Sequence, residues 1–160
     1  MNQTATYVNI MQESLVRKKK YLTEIWELTK EQEKIAHGKR FDEEAFGSLI
    51  DKKEILINNV NEIDKGFTSL YDKVRTEVLD HKGFYGTQLK TMQSLIKDCV
   101  DLGMQIEVLE ERNRAALEQA FSVGFKGVRQ AKQSKKVANK YYKSMSNGMV
   151  NDSILYDRKK

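Results

Sequence analysis

Apolar residues recur along this chain at alternating three- and four-residue spacing, the period of a helix that buries one face. From about Thr4, the positions Val8, Met11, Leu15, Leu22, Ile25, Thr29, Gln32 and Ala36 form one such stripe, with Lys18 as its one charged interruption. His37 and Gly38 end it: glycine readily takes the left-handed conformation after a last turn, and a histidine there suits the negative end of the helix dipole. The next start is the sharpest local signal in the chain. Asp42 is a good N-cap, Glu43 and Glu44 suit the positive end of a helix, and Phe41 and Phe46 occupy the two positions of a hydrophobic staple. Leu49, Leu56, Val60, Ile63, Phe67, Leu70 and Val74 then follow a heptad seam to about Asp80, broken only by Lys53. A second turn is expected over His81, Lys82, Gly83, Phe84, Tyr85 and Gly86, with Thr87 capping a third segment in which Leu89, Met92, Ile96, Cys99, Gly103, Ile106, Asn113, Leu117 and Ala120 continue the period.

The pattern predicts an all-α fold, an elongated antiparallel three-helix bundle or coiled coil over residues 1–125, with helices over about 4–37, 43–80 and 88–125. Residues 126–160 are expected to form a basic C-terminal extension of the third helix and a tail. If continuous as far as Asn147, that helix is about 90 Å long at 1.5 Å per residue, against roughly 50 to 57 Å for the other two. It then exhausts its antiparallel partner near residue 125, where Gly124 and Gly127 each cost about 1 kcal/mol in a helix interior and leave room for a bend, fraying or a close backbone contact.

Composition strengthens the helical reading. The chain has no proline in 160 residues, where ordinary usage gives roughly eight, and proline breaks helix interiors. A hydrophobic content of 39% suits narrow seams between helices better than a large core. There is no apolar run near the roughly 20 residues a membrane span needs. Cys99 is the single cysteine and excludes an internal disulfide, and the N-terminus lacks the zones of a secretory signal, so the expected compartment is the cytoplasm.

Charge divides the chain in two. Residues 1–118 carry 18 Lys+Arg against 21 Asp+Glu, and residues 119–160 carry 10 against 2. Between Glu118 and Asp152 there is no acid, while Lys126, Arg129, Lys132, Lys135, Lys136, Lys140 and Lys143 are basic. Interleaved with them are Phe121, Phe125, Val128, Ala131, Ala138, Tyr141, Tyr142, Met145 and Met149, a stripe that a fully wet tail gives no reason to retain. Aromatic and methionine side chains are common at adaptable protein-binding surfaces. An amphipathic strip for a partner helix therefore explains this stretch best, ahead of a nucleic-acid site, an anionic membrane surface or a solvated tail.

Elsewhere the bland reading wins. No HExxH, CxxC, GxSxG, Walker or dinucleotide glycine pattern occurs, so no catalytic residue, metal ligand or cofactor-binding residue is assigned and the chain is not read as an enzyme. His37 and His81 sit at helix ends, capping explains Asp42, Glu43 and Glu44 without a metal, and Cys99 occupies a seam position as a small hydrophobe. Arg17, Lys18, Lys19 and Lys20 read as a solvated helical face, with Glu13 and Glu24 available to pair at four-residue spacing. Trp26 is expected at the edge of the first interface, and the GxxG form of Gly124-Phe125-Lys126-Gly127 is attributed to chance.

A first helix carrying Tyr7-Val-Asn-Ile-Met through Leu15 and Leu22 to Ile35, followed by the Phe41-Asp-Glu-Glu-Ala-Phe46 turn, carries a likeness that covers nearly the whole chain. In these features it resembles flagellar type III export chaperones of the FlgN family. Lys52-Lys-Glu-Ile-Leu56, leading to Val60 and Ile63-Asp64, is similar to the family's second-helix signature, and Ser134-Lys-Lys-Val-Ala-Asn-Lys-Tyr-Tyr142 resembles the tail of its Gram-positive members. The resemblance implies a cytoplasmic chaperone, using no nucleotide or other cofactor. It would bind C-terminal helical segments of hook-filament junction (hook-associated) proteins, prevent their premature assembly and deliver them to the export gate. The family's client-binding region lies towards the C-terminus, which implies a partner-binding strip of Phe125, Val128, Ala131, Ala138, Tyr141, Tyr142, Met145 and Met149. Arg129, Lys132, Lys135, Lys136, Lys140 and Lys143 would supply the electrostatics around it. The empty protein could cover this strip by pairing with a second copy. The alternatives are a basic helical nucleic-acid-binding protein and a structural, self-associating coiled coil.

Overall fold

A computed structural model describes residues 3–123 of the chain, with side chains described as far as residue 120. The architecture is all-α: α1 (Gln3–Ala36), α2 (Glu43–Asp80) and α3 (Lys82–Val123) form an up-down-up bundle. At 1.5 Å per residue the helices are about 51, 57 and 63 Å long.

Every inward position expected on α1 is buried, from Val8 through Thr29 and Gln32 to Ala36, and Lys18 lies inside with them. On α2, Leu49, Val60, Ile63, Phe67 and Val74 are buried as expected, together with Phe46, Ile50 and Ile57. Leu56 and Leu70 are only partly buried and pack against the edge of the core. The core has two clusters. One joins Val8, Met11 and Leu15 to Phe67, Val74, Val78, Tyr85 and Met92. The other joins Leu22 and Ile25 to Phe46, Ile57, Val60, Ile106 and Leu117. At about 0.8 kcal/mol per buried methylene, these seams supply the stability that isolated helices of this kind lack.

The first connection forms largely as its residues dictate. The Asp42 carboxylate accepts a hydrogen bond from the Ala45 N–H at 3.0 Å, and the Phe41 and Phe46 rings meet with centroids 5.3 Å apart. Gly38 differs from expectation, because no described glycine has a positive φ. The end of α1 is instead closed by His37 N–H donating to Glu33 O and Gly38 N–H donating to Ile35 O, a tightened last turn.

The second connection corrects the sequence reading. The expected six-residue turn with a Thr87 cap shrinks to His81 alone, whose carbonyl accepts from both the Phe84 and Tyr85 N–H groups, so α3 begins at Lys82. Gly83 and Gly86 lie inside the helix, and Thr87 uses its carbonyl to accept from the Thr91 hydroxyl. Two helical glycines cost about 1 kcal/mol each. Extending the helix places Tyr85 on the inward face, 1% exposed, and burying a large aromatic offsets that cost.

Polar contacts set the register. Gln88 bonds Asn9, Lys19 bonds Asp98, and Asn113 bonds the Thr29 carbonyl, so α1 and α3 run parallel. Lys18 to Asp64 and Lys53 to Glu110 fix α2 antiparallel to both. Counting outward from Asn113–Thr29 and from Glu110–Lys53, the last residue of α1, Ala36, and the first of α2, Glu43, both lie level with Ala120. α3 continues to Val123 and so passes the ends of both partners. The crossing comes about five residues earlier than the expected 125, because the turn before α3 has one residue in place of six.

α1 is the central helix. It packs along both α2 and α3, whose own backbones scarcely approach each other. The α2–α3 interface is therefore the open side of the bundle.

Candidate functional site

Three features of the bundle bear on function: the end where α3 outruns its partners, the polar groups within the core, and the open side between α2 and α3. At the first, Leu117 is buried and Ala116 and Ala120 are half-buried, closing the core at the level where α1 ends. The expected partner-binding residues Phe125, Val128, Ala131, Ala138, Tyr141, Tyr142, Met145 and Met149 lie outside the described residues. So do the basic residues Arg129, Lys132, Lys135, Lys136, Lys140 and Lys143 around them.

Inside the bundle two ionic layers interrupt the apolar seams. Lys18 Nζ on α1 lies 2.5 Å from Asp64 Oδ1 on α2, with both side chains under 5% exposed. Burial raises the Asp64 carboxyl above its ordinary value, with the Lys18 charge and hydrogen bond pulling the other way. The basic run thus differs from the solvated face expected of it: Lys18 is buried against Asp64, and Lys19 meets Asp98 on α3 at 3.0 Å. The residues allow this because a helix turns each neighbour by about 100°, so Lys18 falls on the seam while Arg17 and Lys20 remain exposed.

The second layer draws on all three helices. Lys53 Nζ donates to Gln32 Oε1 at 2.7 Å and to Glu110 Oε1 at 2.6 Å, and Asn113 Nδ2 donates to the Thr29 carbonyl at 3.3 Å. Burial lowers Lys53 well below the ordinary lysine value and raises Glu110 to about 9, the nearby Thr29 hydroxyl working against the latter. Gln32 Nε2 and Asn113 Oδ1 are buried without a hydrogen-bond partner among the described residues, which adds desolvation cost to the layer.

Both layers are closed within the bundle, their charged side chains at most 6% exposed, and among the described residues no group of three His, Cys, Asp or Glu side chains is placed to hold a metal ion. Cys99 is 1% exposed and burial pushes its thiol up to about 11, with the Lys18 charge only partly opposing, so it stays protonated and packs as a small hydrophobe. His37 and His81 are exposed at helix ends. Trp26 packs at the edge of the core with Lys30 Nζ 4.0 Å from its ring centroid. Among the described residues no helix is long and apolar enough to cross a membrane.

The open side carries a surface concavity. It is a groove of about 740 Å³ near the α2–α3 turn, where Tyr71, Val78 and Leu79 of α2 face Gly86 and Leu89 of α3. Arg75, Lys82 and Lys90 rim it, with Asp72 beside them.

Sequence reasoning missed Glu110 and Asp64 as core residues and did not foresee the groove. Glu110 falls in period between Ile106 and Asn113, and a lysine on the seam of one helix requires a carboxylate at the same level of another. The groove has no such signal, because it arises from unequal spacing of helices that all carry similar heptads.

No protein-family model, no curated protein and no solved structure matches the chain.

Proposed function

We propose that this protein is a non-enzymatic chaperone of the flagellar type III export kind, acting in the cytoplasm. It would hold an amphipathic helix of a hook-filament junction protein against its C-terminal strip, Phe125 to Met149, and release it at the export gate. The observation that carries the reading is the acid-free stretch after Glu118, in which aromatic and methionine residues alternate with lysines, attached to the helix that outruns its partners at Ala120. Such a strip buries an apolar client face while Arg129, Lys132, Lys135, Lys136, Lys140 and Lys143 meet client carboxylates. Charge then governs association rate and selectivity more than affinity. The sequence resemblance to FlgN-type chaperones supports the same reading, and the all-α bundle is compatible with it.

The test is titration of the full chain and of a chain ending at Ala120 with the C-terminal helical peptide of a junction protein. The full chain is expected to bind and the shortened chain to lose binding; unchanged affinity in the shortened chain overturns the reading. The net basic character of residues 119–160 also favours a second reading, a nucleic-acid-binding helical protein. Counterion release makes nucleic-acid affinity fall steeply between two salt concentrations, whereas an apolar client contact tolerates moderate salt. Sedimentation that shows only a concentration-dependent dimer and no heterologous partner points to the self-associating coiled coil instead.

A further inference from the structure

We infer that the groove between α2 and α3 at the turn end of the bundle is a second docking site, and that its occupant is a short acidic amphipathic helix of a partner protein. This goes beyond the proposed client strip and does not rest on it. The groove exists because α1 holds α2 and α3 from one side, and among the described residues no fourth helix packs on their outer faces. Its α3 wall, Lys82 to Gln93, is about 17 Å long at 1.5 Å per residue, room for about three turns of a docked helix. Leu79, 46% exposed, and the half-buried Leu89 offer apolar contact from opposite walls.

Charge selects the occupant. Arg75, Lys82 and Lys90 rim the groove against a single carboxylate, Asp72, and among the described residues none of the three cations is in an ion pair. Three unpaired cations around an apolar floor favour a helix with leucines on one face and glutamates flanking them. The same charges disfavour this chain's own basic stretch after Glu118 as the occupant.

The probe is a fluorescein-labelled 15-residue helix with a leucine face and glutamate flanks, compared with its lysine-flanked counterpart by anisotropy on the full chain. Expected is binding of the acidic probe only, weakened about tenfold, or 1.4 kcal/mol, by Arg75→Glu with Lys90→Glu. Gly86→Phe, at a position where an added Cβ meets nothing within 4 Å, should block the groove equally while leaving the helix at least as stable. Unchanged melting curves show that both variants fold. Equal binding of the basic probe overturns the proposal, as does a loss confined to Lys135→Glu with Lys136→Glu, which would leave the client-strip reading standing. Binding to anionic phospholipid vesicles that depends on Arg75 and Lys90, with no peptide binding, also overturns it.

Discussion

Lys53 Nζ on α2 lies 2.6 Å from Glu110 Oε1 on α3, and this buried contact spans the one interface of the bundle whose backbones stand apart. A lysine and a glutamate reach further than leucines, so the pair bridges a gap that shorter apolar side chains would leave open. Removing one partner leaves the other buried and uncompensated. Lys53→Met or Glu110→Leu alone should destabilise the fold by about 3–5 kcal/mol. The double replacement should recover most of that loss, because the surviving groups no longer include a lone ion. Urea denaturation of the four proteins measures the coupling directly, and additive single effects would show that the contact is not energetically linked.

The same pair predicts opposite pH responses in its two single variants. In Lys53→Met, Glu110 remains with a folded-state pKa raised to about 9 from 4.5. The folded chain then binds a proton that the unfolded chain has released, so stability is full below about pH 4.5 and falls as pH rises towards 9, by about 1.4 kcal/mol per unit. In Glu110→Gln the remaining Lys53 has a lowered pKa, so stability is full above the ordinary 10.5 and falls as pH drops towards that lowered value. In the unaltered protein the two contributions oppose each other. Melting temperature should fall as pH rises from 5 to 9 in Lys53→Met and should rise with pH below 10.5 in Glu110→Gln, with the unaltered protein showing a weaker dependence than either.

Helix content at the second turn gives a further expectation. Gly83 and Gly86 are helical, have no positive φ, and offer an added Cβ open space. Gly83→Ala should therefore stabilise the fold by about 0.4–1 kcal/mol. If this segment were the open turn that its glycines suggest, the same change would be neutral or destabilising. The denaturation midpoint distinguishes the two.

That segment also shows where the sequence was legible and where it was not. The inward face of α1 from Val8 to Ala36 could be read position by position, because a helical period with buried Thr29 and Gln32 survives even where the residues are polar. The Asp42 cap and the Phe41–Phe46 staple were equally plain, since both are local interactions of adjacent residues. Gly83 and Gly86 misled because local propensity favours a turn, while the deciding term, burial of Tyr85 against α1 and α2, is tertiary. Lys18 and Lys53 were visible as breaks in a seam, but their partners Asp64 and Glu110 depend on the interhelical register, which the heptads alone do not specify. Of the candidate site, the charge and aromatic alternation of residues 121–149 was legible in composition alone, and the groove beside Arg75 and Lys90 was not.

Cys99 should behave as a buried thiol. With 1% exposure and a pKa pushed up to about 11, it offers neither access nor thiolate at neutral pH. Its modification by a disulfide reagent in the native protein should be slow and should accelerate in proportion to the unfolded fraction as urea is added. Rapid modification without denaturant would show that the bundle opens locally around Lys18, Asp64 and Cys99.

The register of the three helices makes the point of truncation a quantitative test of where the bundle ends. Ala36 and Glu43 both lie level with Ala120, so a chain ending at Ala120 retains the core contact of Leu117 and the bond of Asn113 to Thr29. Its melting should be cooperative and its midpoint within a few degrees of the full chain. Ending the chain at Ile106 instead removes Glu110, Asn113 and Leu117 together with the last turns of α3 that cover α1 and α2, and should cost more than the roughly 3–5 kcal/mol of the single charge removal. If the Ala120 chain melted as badly as the Ile106 chain, residues beyond 120 would have to belong to the folded core, and a client strip free to receive a partner helix could not lie there.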